Sequence, residues 1–409
     1  MNSNGPYARL LVIAGTACVA APALAQNSVT LYGIVDAGLV YQSSQTSLGS
    51  TVNGHSVIKL GQNIWNGNRV GIRGQEDLGG GTRAIFTLES GFNLLSGTQQ
   101  FANGEFSRQA FVGLTNANYG TLTAGRQYTS YYALVGPYGP TTWMTGYFGA
   151  HAGDIDNLDV IYRVNNSLVY TSPAFYGVTV SGTYSLGGVP GSFSQGSSWS
   201  AALQYSRGPL GVAAGIERFN NSTPGGGAWG ADSTANSTAN SGGEPGVSAV
   251  TNGYQTAAAQ QRVAIAGSYA LASAWDVSAS YSNVQYIPGI GSTFRNQATF
   301  NTVGAVLHFR ATVSVNLAAG YSITRATRAN GIDSPAQYQQ FNLAESYNLS
   351  ARTMLYALQG FQRARGETLG TAGAGDVINA TATIGDGFNT APSSSRSQFA
   401  CTIAISHRF

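Results

Sequence analysis

Along most of the chain, apolar and polar side chains alternate in segments about ten residues long, and the apolar positions of each segment carry no charge. "VTLYGIVDAGLVY" sets Val29, Leu31, Val35, Ala37, Leu39 and Tyr41 against Thr30, Tyr32 and Asp36. "WDVSASYSN" sets Trp275, Val277, Ala279 and Tyr281 against Asp276, Ser278, Ser280 and Ser282, and "TVSVNLAAGYSI" repeats the pattern from Val313 to Ile323. A period of two is that of a β-strand with its two faces in different surroundings. Ten residues is roughly the length of a tilted strand that crosses a bilayer.

Composition says what those surroundings are. A soluble sandwich turns Lys and Glu toward water on its polar side. Here charged residues make up 9% of the chain, against about 25% in ordinary globular proteins, and Lys59 is the single lysine. The polar faces carry Ser, Thr, Asn, Gly and isolated arginines, which suits a confined aqueous space. Past the first 25 residues no apolar run approaches the 18 or so that a membrane helix needs. With 54 glycines the chain disfavours helices throughout, while 22 tyrosines and 17 phenylalanines argue against disorder. A formal charge of +3 is too small to imply nucleic acid. The pattern therefore predicts an all-β, antiparallel transmembrane β-barrel with lipid outside and water inside.

Residues 1–25 read as a secretory signal: Arg9, the apolar run "LLVIAGTACVAAPALA" and a small-residue end at Ala23, Leu24 and Ala25. The barrel is then expected over 26–409, with Cys401 its only cysteine and no internal disulfide. Tight connections at 78–81, 118–120, 172–177, 207–211, 271–274 and 349–352 alternate with long ones, the longest at 220–260. Counting the segments between them gives sixteen strands, an even number that pairs the first with the last. The final strand, "FACTIAISHRF", is expected to close against "VTLYGIVDAG" and to leave Phe409 in the interfacial aromatic girdle.

These segments, with "NRVGIRGQEDLGGGTRAIFTLESGFN", "FSRQAFVGLTNANYGTLTAGRQY" and "RVNNSLVYTSPAFYGVTVSGTYS" in the same order, resemble the trimeric sixteen-stranded general porins of Gram-negative outer membranes, most of all the β-proteobacterial branch. The resemblance implies a homotrimer in outer-membrane lipid and lipopolysaccharide. Each pore would be narrowed by an inward-folded third external loop and would pass small hydrophilic solutes by passive diffusion, without a cofactor. It also implies that the outer-membrane assembly machinery reads Phe409.

Carried over residue by residue, the basic pore wall falls on Arg69, Arg108 and Arg163, with Arg73 sharing the face of Arg69. Arg126 shares its face with Leu122 and Ala124 and is expected in the wall or against the loop. Where some relatives carry a wall lysine this chain has Ile34. The constriction loop falls on 128–162, rich in aromatic residues. Its tip, "VGPYGPTTWMTGYFG", holds no acid; Asp154, Asp156 and Asp159 come on the returning arm, and Glu89 is the remaining candidate acid. Arginines without facing tip carboxylates predict a mild preference for anions.

An enzyme is disfavoured, since His55, His151, His308 and His407 show neither metal spacing nor a nucleophile elbow. The competing reading is a substrate-selective channel, which would need dedicated ligand contacts along the lumen.

Overall fold

The computed structural model describes residues 28–101, 104–144, 146–159, 162–236, 247–386 and 392–409. The expected signal, the start at Gln26 and part of the 220–260 stretch lie outside these residues. Among them no helix is long and apolar enough to cross a membrane.

Sixteen antiparallel strands close into a barrel. The first strand, β1, is Ser28–Gln45, and β2 comes in two pieces, His55–Gln62 and Arg69–Gly79, which pair with successive parts of β1. Next come β3 (Thr82–Gly91), β4 (Gln109–Asn116), β5 (Gly120–Gln127), β6 (Arg163–Thr171), β7 (Val178–Ser185) and β8 (Ser198–Arg207). Beyond them lie β9 (Leu210–Asn220), β10 (Ala259–Ala272), β11 (Trp275–Ile287) and β12 (Ala298–Arg310). The last four are β13 (Val315–Ala326), β14 (Gln337–Asn348), β15 (Thr353–Arg365) and β16 (Ser397–Arg408). A seventh short connection, 311–314, joins the six expected from sequence. At the turn between β2 and β3, Gly79, Gly80 and Gly81 have φ of +85°, +61° and +76°, a run of left-handed backbone that glycine alone adopts without strain.

The seam pairs Ile34–Gln42 with Arg408–Ala400, a register shifted from the expected one toward the C-terminal half of β1. Gly33 exchanges two backbone hydrogen bonds with Phe409, so Ser28–Tyr32 pair with β2 alone. The alternation read from sequence sorts the two faces. Leu31, Leu60 and Ile403 are 63%, 64% and 74% exposed on the outside, while Asp36, Thr302 and Gln362 on the alternate positions are fully buried. Because the side-chain period is two, a one-residue slip at any seam would turn every one of these residues over.

The break in β2 is held by one side chain of the neighbouring strand. The Asp36 carboxylate accepts backbone N–H bonds from Ile64 (2.8 Å), Trp65 (3.3 Å) and Asn66 (3.2 Å), and the Tyr356 hydroxyl at 2.8 Å. One side chain of β1 thereby satisfies the backbone that leaves the ladder and ties it to β15.

The long connections are packed. Residues of 146–159, 247–258, 288–297, 327–336 and 366–396 share an apolar core with the upper ends of β11, β12 and β14, built around Tyr254, Tyr286, Phe294 and Phe300. The 220–260 stretch contributes Val250, Tyr254 and Ala257 to this buried cluster.

A Cβ at Gly38 would stand 2.3 Å from Ala404 Cβ and 2.4 Å from Ile403 O across the seam. Gly38→Val is expected to lower the urea midpoint of the folded barrel by an amount worth roughly 1–3 kcal/mol, read from heat-modifiable electrophoretic mobility. A midpoint equal to that of the native sequence would show that the seam is not packed as described.

Candidate functional site

Three arginines that lie 39 and 55 residues apart along the chain converge on one phenol and one carboxylate. Glu89, on the polar face of β3, receives Arg108 Nε at 2.8 Å, the Tyr32 hydroxyl at 3.0 Å and the approach of Arg69 Nη1 at 4.0 Å. Tyr128, just beyond β5, accepts Arg108 Nη2 at 3.1 Å and Arg163 Nη2 at 2.8 Å, and the Arg163 guanidinium lies 4.6 Å from its ring centroid. Three guanidinium groups thus face one carboxylate, an excess of two positive charges. Two like charges 6 Å apart repel by about 3 kcal/mol at an effective dielectric of 20. Burial pushes the Tyr128 phenol up, but Arg108 and Arg163 outweigh it and lower its pKa to about 8.

The other two expected basic residues sit beside this group. Arg73 is exposed, its guanidinium 5.5 Å from the Tyr32 ring centroid. Arg126 follows a bulge, where Gly125 has φ of +140° and the β5–β6 register shifts. It donates to the Ser107 carbonyl at 2.6 Å and to Asn165 Oδ1. The bulge is what strict alternation does not reveal.

Residues of 128–144 and 146–159 lie against the polar faces of β7 to β15. Ser130 bonds with Thr183 and Ser200, Gln204 donates to the Tyr138 hydroxyl, and the carbonyl of Phe148 accepts from Gln340 and Asn342. Gly304 and Gly320 leave room for the same segment, since a Cβ there would stand 2.4 Å from His151 Nε2 and 2.6 Å from Met144 Cε.

The loop acids are placed differently from one another. Asp156 accepts His151 Nδ1 and Ser282 Oγ, each at 2.6 Å; burial raises its carboxyl, but these partners hold it below the ordinary value. Burial, with Asp159 and Asp156 beside it, raises Asp154 well above the ordinary carboxylate range. Asp159 is half-buried, and Tyr132 feels both its charge and those of Arg163 and Arg69. Of the four acids named from sequence, Glu89 stands in hydrogen-bonding contact with the arginine cluster.

Sequence reading missed a second buried set. Glu217, on β9, accepts Thr129, Asn157 and Tyr162 and lies 3.9 Å from Arg262 of β10, whose Nε donates to the Ile155 carbonyl. It also missed the stacking of Trp143 on His308, at 3.6 Å between centroids and 3° between planes. Both ring nitrogens of His308 are engaged, by Asp276 and Asn316. The available signal for Glu217 was a lone carboxylate in a strand otherwise free of acid.

A closed sixteen-stranded wall with a polar interior and a cluster of arginines on one side has a direct counterpart in the family comparison: residues 10–367 match the model described as Gram-negative porin. The chain belongs to that family. It is therefore an outer-membrane barrel, and neither the family nor its relatives indicate an enzyme. An outer membrane porin protein of Bordetella pertussis is 35% identical over 178 residues, which are 41% of this chain and 45% of that one. Outer membrane porin protein 32 of Delftia acidovorans is 35% identical over 168 residues, 38% of this chain and 43% of the other. The chain thus spans about half the length of the curated relatives it matches. Among solved structures, the anion-selective porin from Comamonas acidovorans superposes with a TM-score of 0.66 at 22% identity, covering 94% of this porin and all of that one.

Glu89→Gln leaves Arg108 buried without its carboxylate. The substitution is expected to cost about 3 kcal/mol of folding stability, seen as a lower urea midpoint, and an unchanged midpoint would show that the pair is solvated rather than buried.

Proposed function

We propose that this porin forms a water-filled channel for passive diffusion of small hydrophilic solutes and ions, with a mild preference for anions, and that 128–162 narrows it. The observation that carries the preference is the arginine cluster. Arg69 and Arg108 meet one carboxylate and Arg163 joins them through Tyr128, while Asp156 is held by His151 and Ser282 and burial favours the neutral form of Asp154. A ring of fixed charge in a narrow passage selects the opposite sign. The Comamonas porin that shares this fold is anion-selective, which points the same way. Asp159 and Glu89 reduce the net field, which is why the preference is mild.

The assembly is proposed as a homotrimer, with Phe409 read by the assembly machinery and the barrel seated in lipid and lipopolysaccharide. The outer faces of the first strands are apolar, with Val29, Leu31, Leu39, Ile58 and Leu60 exposed, a surface that a neighbouring subunit could cover. Phe409 lies at the seam, 47% exposed, where an interfacial aromatic belongs.

In a planar bilayer under a tenfold chloride gradient, the purified protein is expected to open in steps of three with a reversal potential of anion sign. Arg69→Ala and Arg163→Ala should each move that potential toward zero; a cation-signed potential in the native protein would overturn the reading. Raising the pH through about 8 turns the neutral Tyr128 phenol into an anion within the cluster. Anion preference should therefore fall over that range in the native protein and stay level in Tyr128→Phe.

A further inference from the structure

On β13 to β16 the outward face of the barrel changes its chemistry abruptly along each strand. Tyr321, Phe341, Phe361 and Phe399 stand directly opposite one another on β13 to β16, forming one continuous aromatic row. All four are exposed. Two residues further toward the long connections, about 7 Å along each strand, the outward positions read Ile323, Gln339, Arg363 and Ser397, again in register. One step further come Arg325, Gln337 and Arg365.

The three arginines are exposed. Among the described residues none makes a side-chain hydrogen bond or ion pair, and the nearest carboxylates in sequence, Asp333 and Glu367, form no salt bridge with them. Aromatic rows mark the membrane interface of a barrel, so guanidinium groups one and two steps beyond the row stand at the level of the lipid headgroups. A free arginine in the apolar layer would be costly; at headgroup level the same group finds an anion. Its planar fork matches phosphate oxygens two at a time, and Gln337 and Gln339 between the arginines add donors that carry no charge.

We infer that Arg325, Arg363 and Arg365, with Gln337 and Gln339, form a binding site for the phosphate groups of a phosphorylated glycolipid in the outer leaflet. The site rests on the outer-membrane reading above and assigns residues to a lipid contact that reading left unplaced. Charge complementarity and the height above the aromatic row favour the lipid over a soluble anion. A free anion would gain nothing from the four rings below, whereas acyl chains attached to the phosphorylated sugars would lie along them.

The test uses the full-length protein in detergent, with fluorescent bisphosphorylated lipid A as the probe. The triple variant Arg325→Gln, Arg363→Gln, Arg365→Gln is expected to bind it at least roughly tenfold more weakly than the native protein. Lipid A stripped of both phosphates should bind the two proteins alike. Equal affinity of variant and native protein for the bisphosphorylated probe would overturn the site. Displacement of the probe by inorganic phosphate at millimolar concentration would overturn its assignment to lipid. Heat-modifiable mobility reports that the variant folds. Its single-channel conductance should match that of the native protein, since these side chains face away from the lumen. Absence of conductance from both proteins would count against the channel and leave the lipid comparison readable.

Discussion

Every property of this barrel depends on one constraint: a backbone N–H or C=O that faces hydrocarbon has no water to bond with, so the wall must satisfy its own. Closure between Ile34–Gln42 and Arg408–Ala400 removes the two edges that an open sheet would leave. Where the ladder is broken, a side chain replaces it. The Asp36 carboxylate takes the three N–H groups that β2 releases at Ile64, Trp65 and Asn66. The fixed wall then allows alternate side chains to be assigned to lipid and to lumen without exception over long stretches, and the lumen side can hold charge.

Charge on that side is organised by proximity to the loop rather than by strand position. Arg69, Arg108 and Arg163 come from three different parts of the chain and meet because Tyr128 and Glu89 stand between them. On the opposite wall the loop is held by neutral hydrogen bonds, by the buried pair Glu217 with Arg262, and by the bond between His151 and Asp156. The carboxylates of that wall serve as anchors and are removed from the aqueous passage.

Much of this was legible in the sequence. The period of two, the scarcity of charge and the alternation of short and long connections lead to a sixteen-stranded barrel, and the order of long motifs leads to the porin family. Irregular backbone was illegible: the break of β2 at Asp36, the bulge at Gly125 and the shifted seam all depend on long-range hydrogen bonds that no local pattern encodes. The positions of Asp154 and Asp156 were equally hidden. On a loop without periodicity nothing in the residue order says that one carboxylate turns to Ser282 and another is buried among its neighbours. The buried core beneath the long connections escaped for a related reason, since each loop supplies only a few of its residues.

The bond from Tyr356 to Asp36 spans 320 residues. It belongs to the same corner of the wall as the seam, so the hydrogen-bond acceptor made at the start of the chain waits for a donor synthesised near its end. Contacts of such separation slow folding, because loop closure must precede any gain. Until the last two strands arrive, β1 presents an open edge, and the Asp36 carboxylate lacks the last of its four donors. The finished wall is thus a late, all-at-once event, and the chain must be kept apart from other unfinished copies until it occurs.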